Sequence, residues 1–157
     1  MKIFLDNNII IDALGEREEF KSNALTLLEK VALNPDLEAF VASKAIAEVH
    51  YTLKKIIGES RARSALGSLL CIVDIIDTTK DDFIYALSSD IPDFEDAVTF
   101  SSALRAKTNY IITRDKHYAN RSIPAVSAEE FLKMYFTTFS PKSPCTDVEK
   151  ETHIFNI

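Results

Sequence analysis

The chain predicts an α/β fold: a parallel sheet with helices on both faces, three layers in α/β/α order. Strand-like apolar runs alternate with segments of helical period along the chain, and no hairpin signal separates two strands. Glycine and proline are scarce, 3 and 5 in 157 residues, which argues against an all-β fold rich in tight turns. Acids stand at the ends of the strand-like runs, where open α/β sheets form their ligand crevices.

Lys2 to Leu5 reads as a short strand without alternation, as expected when both faces are covered. A helical turn follows around Ile9 to Leu14. A helix from Glu18 to Leu33 comes next, with Phe20, Ala24, Leu27, Leu28 and Val31 recurring at helical spacing. Asn34-Pro35-Asp36 breaks it. Leu37 to Ala42 is the second strand. Ser43 is the expected N-cap of a helix ending near Gly58, and a further helix spans Ser60 to Leu70. Cys71 to Ile76, rich in β-branched residues, is the third strand. Asp81 to Ser88 is helical, and Ile91-Pro92 punctuates before a helix that begins at Asp93. Asn109 to Arg114 and Pro124 to Val126 complete a sheet of about five strands, and Ala128 to Tyr135 is the last helix. Residues 1–135 form one expected domain; 136–157 fade into Ser, Pro and Thr and read as an extension, mobile or docked on a partner.

Composition, 46% hydrophobic and 27% charged, is that of an ordinary globular protein with a proper core. The formal charge of -6 argues against a nucleic-acid partner only until some of those acids are assigned to a bound cation. Cys71 and Cys145 lack metal-ligand spacing; Cys71 opens an apolar run and is expected to be a buried free thiol. No secretory pattern and no run approaching about 18 apolar residues is present, so a cytoplasmic location is expected.

The acids carry the chemistry. Asp6 closes the first strand, Glu48 lies in an apolar helix, Asp93 and Asp96 open another helix, and Asp115 follows the run Tyr110 to Arg114. Carboxylates gathered in one crevice repel unless a cation neutralises them, and a hard divalent ion with oxygen ligands does so best. That points to metal-dependent phosphoryl transfer. Competing α/β chemistries fail on spacing. Glycines at 15, 58 and 67 alone supply neither a dinucleotide turn nor a phosphate-cradling loop. Asn8 stands where an aspartyl phosphatase would need its second acid. Asn7 and Asn8 also replace the acid pair of a phospho-acceptor receiver domain, although Asp77 and Lys116 are loosely available to one. No serine lies in a nucleophile elbow, and His50, His117 and His153 show no ligand spacing.

Plainer roles compete at each position. Asp6 suits a cap for the turn beginning at Asn7, and Asp93 is a natural N-cap with Asp96 at the third helical position. Glu48 falls nearly opposite the stripe of Ile46, Val49, His50, Leu53 and Ile57, so periodicity makes it a solvated acid. Asp115 suits an ordinary turn. Arg114, Lys116, His117 and Arg121 fit either phosphate contacts or a solvated loop. His50 and Phe131 read as core.

Taken together, the segment KIFLDNNIII at residues 2–11, the helix with Glu48, the run Asp93-Phe94-Glu95-Asp96-Ala97 and the run Ile111-Ile112-Thr113-Arg114-Asp115 resemble the PIN domain. Residues 123–132 resemble its closing strand and helix. The likeness is nearest the VapC-like toxins of type II toxin–antitoxin pairs. The resemblance implies a Mg²⁺- or Mn²⁺-dependent endoribonuclease, a homodimer, kept silent by a cognate antitoxin. It maps the family's four acids onto Asp6, Glu48, Asp96 and Asp115, with Asp6 and Asp96 holding the metal. Glu48 and Asp115 would then orient waters or hold a second ion, with Asn7, Asp93 and Thr113 in support. Asn7 departs from the Thr or Ser usual after the first acid. A silent PIN-fold module that binds RNA or protein is the alternative.

Overall fold

A computed structural model describes residues 1–16, 18–118 and 121–138. Its sheet is built from β1 (Lys2–Leu5), β2 (Glu38–Ala42), β3 (Asp74–Ile76), β4 (Tyr110–Ile112) and β5 (Ala125–Val126). All pairings are parallel, in the order β3-β2-β1-β4-β5. The helices are α1 (Asn7–Leu14), α2 (Glu18–Leu33), α3 (Ser43–Ile57), α4 (Glu59–Leu69), α5 (Lys80–Ser88), α6 (Phe94–Arg105) and α7 (Ala128–Thr138). A 3-10 turn, Lys116–Tyr118, follows β4.

The pleat sorts the strand residues between two cores. Ile3 and Leu5 pack with α1, α2, α3, α4 and α7 on one face, whereas Phe4 packs with α5, α6 and Tyr118 on the other. In β2, Ala39 and Val41 face the first core and Phe40 and Ala42 the second. Covering on both faces is why these strands show no alternation, and each large buried side chain contributes roughly 1.5–3 kcal/mol. The three expected layers are present.

The topology makes the crevice. From β1 the chain lays β2 and β3 to one side, then crosses to build β4 and β5 on the other. The connections after β1 and β4 therefore leave neighbouring strands in opposite directions, the switch point at which such sheets bind ligands. Leu5 is paired with Ile112, and the Asp6 N–H donates to the Ile112 carbonyl at 3.0 Å, so the two strand ends are pinned together.

Some local expectations are corrected. The third strand begins at Asp74, not Cys71, because the N–H groups of Cys71, Ile72 and Val73 turn back onto the carbonyls of Ser68 and Leu69. Cys71 is consequently exposed, with its thiol 3.3 Å from the Gly67 carbonyl, and is not a buried thiol. Ser43 is the first residue of α3 and not its cap, since β2 runs straight into the helix with Ala42 at the cap position. The Ser43 hydroxyl instead accepts the Thr78 N–H at 3.0 Å. His50 is half-buried and meets Glu59 of α4 at 3.3 Å. Gly58, at φ +85°, makes the left-handed turn between α3 and α4. Helix α7 runs past Tyr135 to Thr138, while Cys145 and most of the expected extension lie outside the described residues. Among the described residues no helix is long and apolar enough to cross a membrane.

Candidate active site

Asp6 leaves β1 and caps α1. Its Oδ1 accepts the Asn7 N–H at 2.7 Å, and its Oδ2 accepts the Thr113 hydroxyl at 2.6 Å and the Asn8 amide at 2.8 Å. The Thr113 hydroxyl in turn accepts from the Asn8 amide at 3.0 Å and from the Asp115 N–H at 2.9 Å. Asp6 is thus both cap and crevice residue, and every one of these donors is neutral. Burial pushes its carboxyl up to about 6; the Thr113 and Asn7 hydrogen bonds oppose this, and the charges of Asp96 and Asp115 add to it.

Asp96 enters from the first turn of α6, where the Asp93 carboxylate caps the helix by accepting the Asp96 N–H at 3.1 Å. The Asp96 carboxylate lies 2.7 Å from His117 Nδ1 and accepts the Tyr118 hydroxyl at 3.1 Å. Burial raises the Asp96 carboxyl, against those two contacts, and nearby Asp93 and Asp115 raise it further. The Tyr118 phenol is pushed well up by its own burial and by the charges of Asp6 and Asp96, so it stays a neutral donor. His117 also stands 3.5 Å from Asp115, and its imidazole is pushed up by the Asp96 contact and the Asp115 charge. Asp96, Asp115 and His117 offer ligand atoms within 4.8 Å of one another. Among the described residues no lysine or arginine is ion-paired with Asp6, Asp96 or Asp115. A carboxylate set lacking its own lysine or arginine, its oxygens met by neutral donors and one imidazole, is chemically suited to a hard divalent cation.

Glu48 occupies a different part of the crevice. The Asn7 side-chain amide donates to Glu48 Oε2 at 2.8 Å and to Glu95 Oε1 at 2.9 Å. Lys44 lies 3.2 Å from Glu95 and 3.9 Å from Glu48. The Glu48 carboxyl is raised by burial first and by the neighbouring Glu95 second, against the pull of Lys44 and Asn7. Helical periodicity alone left Glu48 solvated, and it is half exposed; what it touches is this polar network.

Sequence reasoning did not single out Lys44, Asn8, Glu95 or Tyr118. The i, i+4 spacing of Lys44 and Glu48, with Glu95 beside Asp96, was the available signal for the network. Arg114, a candidate phosphate contact, is committed elsewhere: it grips the buried Asp12 carboxylate at 2.6 and 3.2 Å and stacks 4.3 Å from the Phe20 ring. Lys116 is exposed at the rim of a cleft of about 840 Å³ that Asp115, Arg121 and Phe20 also line.

An acid cluster at the switch point of a five-stranded parallel sheet defines a class, the α/β proteins whose crevice at the carboxyl ends of the strands is lined by carboxylates. The chain belongs to the PIN domain family, whose model matches residues 2–117, from the start of β1 to His117. It is similar to Ribonuclease VapC1 of Aquifex aeolicus (strain VF5), with 25% identity over 87% of this chain and 96% of that protein. Two solved structures share the fold. VapBC2 of Rickettsia felis, bound to a DNA fragment from its promoter, matches with TM-score 0.60 and 19% identity, over 81% of this chain and 98% of the other. Mycobacterium tuberculosis VapC20, a toxin that cleaves the Sarcin-Ricin loop, matches with TM-score 0.61 and 18% identity, over 73% and 90%.

Proposed function

We propose that the chain is a divalent-metal-dependent endoribonuclease, the toxin of a type II toxin–antitoxin pair. The observation that carries this reading is the acid corner at the switch point: Asp96, Asp115 and His117 offer ligand atoms within 4.8 Å of one another, Asp6 shares the Thr113 hydroxyl with the Asp115 N–H, and among the described residues no lysine or arginine pairs with these acids. Kinship with proteins named as ribonucleases and toxins supports RNA as substrate.

Asp6 and Asp96 would hold the ion, Mg²⁺ or Mn²⁺, with Asp115 and His117 completing or orienting its surroundings. A bound divalent ion supplies a water of lowered pKa and neutralises charge on the phosphoryl oxygens. The chain's own residues do the positioning. Thr113 and Asn8 fix the rotamer of Asp6, and Tyr118 fixes that of Asp96. Lys116, at the cleft rim, receives a phosphate of the RNA strand and holds its register. Arg114 serves the same cleft indirectly, by bracing the loop after β4 against α1 through Asp12.

An antitoxin docks, on this reading, along α3 and α4, where Ile46, Ala47, Leu66 and Leu70 line an open groove of about 600 Å³. Self-association into a homodimer is favoured by the exposed Phe83, Ile84, Leu87 and Phe94 on α5 and α6. Incubation of the purified protein with an RNA pool and a matched DNA pool in Mn²⁺, with a chelator control, tests the function. RNA cut in metal alone is the expected result. No cutting by folded, inhibitor-free protein would move the weight to a silent binding module.

A further inference from the structure

The crevice contains two carboxylate groupings with different company. Asp6, Asp96 and Asp115 are met by neutral donors and one histidine. Glu48 and Glu95 are met by a lysine and an amide. Both groupings would draw a cation; the second already holds a lysine, whereas the first holds only the His117 imidazole.

We propose that Lys44 is a built-in cation filling the Glu48–Glu95 half of the crevice, so that the centre takes one divalent ion, at Asp6, Asp96 and Asp115, and not two. This deepens the metal-dependent reading and rests on it. Lys44 is the second residue of α3, directly beyond the carboxyl end of β2, so its side chain starts at the same edge of the sheet as Asp6. Its ammonium nitrogen is buried, and the side chain is 16% exposed. An ammonium withdrawn from water is costly unless carboxylates face it, and Glu95 and Glu48 do, at 3.2 and 3.9 Å.

Asn7 completes the arrangement. Its side-chain amide donates to Glu48 Oε2 and Glu95 Oε1, the same two oxygens that Lys44 faces, so both are occupied by donors from the chain. A divalent ion entering between these acids would have to displace both a paired ammonium and a bridging amide. At Asp6, Asp96 and Asp115 the ion would displace neutral hydrogen-bond donors and one imidazole, and no lysine or bridging amide between two carboxylates. The asparagine after the first acid is therefore a spacer that joins the lysine-filled pocket to the metal pocket: its backbone N–H holds Asp6 while its side chain holds the two glutamates.

Counting Mn²⁺ bound per chain, from the loss of the free-ion paramagnetic signal on titrating chelator-treated full-length protein, tests this without reference to activity. Wild type is expected to bind one ion, and Asp96→Asn to weaken it by about tenfold or more. Lys44→Met is expected to admit a second ion and Lys44→Arg to remain at one. Glu48→Gln, with Lys44 in place, is expected to leave the count at one and decides the matter if Lys44→Met does not fold. Two ions in wild type, a count of one in folded Lys44→Met, or loss of the single ion in Glu48→Gln would each overturn the proposal. Absence of any Mn²⁺ binding by wild type would instead overturn the metal-dependent reading beneath it.

Discussion

Removing the charge of Asp6 should stabilise the metal-free protein at alkaline pH, although Asp6 is part of the candidate active site. Burial holds this carboxyl at about 6 against an ordinary 3.8. The folded chain therefore binds more protons than the unfolded chain between those values, and stability falls as pH rises through that window. Above about pH 6 the loss is complete; a gap of roughly two pH units corresponds to about 3 kcal/mol. Asp6→Asn escapes it. The substitution also brings an amide nitrogen to the position where Oδ2 accepts from Thr113 and Asn8, which costs about 1–2 kcal/mol in rearranged hydrogen bonds. Urea unfolding in chelator should then show Asp6→Asn more stable than wild type by about 1–2 kcal/mol at pH 8. The order should reverse below pH 4, where the wild-type carboxyl is protonated in both states. Adding Mn²⁺ at pH 8 should stabilise wild type and leave Asp6→Asn nearly unchanged. A variant less stable than wild type at every pH, by a constant amount, would show that the buried Asp6 charge does not destabilise the fold.

Other substitutions probe the supports of the site. Asp12→Ala leaves Arg114 half-buried without its carboxylate and should cost about 2–4 kcal/mol in urea unfolding, most of it recovered by Asp12→Leu with Arg114→Met. Thr113→Val removes the hydroxyl shared by Asp6, Asn8 and the Asp115 N–H, and should weaken Mn²⁺ binding about tenfold in a direct titration. Gly58→Ala meets no atom within 4 Å, so its expected cost of about 1–3 kcal/mol in thermal unfolding comes from the backbone alone, φ +85° with ψ 160° being a region nearly restricted to glycine.

The layers were legible because β1, β2 and β4 are covered on both faces and therefore read as unbroken apolar runs between helical periods. Strand ends were less legible. The Cys71–Val73 stretch is apolar enough for a strand, but its N–H groups close onto the end of α4, a local choice composition does not reveal. At the site, Asp6 stood out because an acid next to a buried strand needs a reason. Thr113 was singled out, and its hydroxyl is the hub of that corner. The Glu48 network was hidden because it is assembled from three distant segments, at Asn7, Lys44 and Glu95, and no single helix wheel contains it. Arg114 looked like a phosphate ligand in sequence because its partner, Asp12, is brought to it only by the tertiary fold.

The most direct test is the single-turnover cleavage of a defined oligoribonucleotide, followed against Mn²⁺ concentration for wild type and Asp96→Asn. The expected result is saturable cleavage by wild type, abolished by chelator, and a loss of about a hundredfold or more in Asp96→Asn at matched metal. Cleavage that persists in chelator, or that Asp96→Asn retains in full, would contradict the assignment of the Asp6, Asp96 and Asp115 centre as the seat of the reaction.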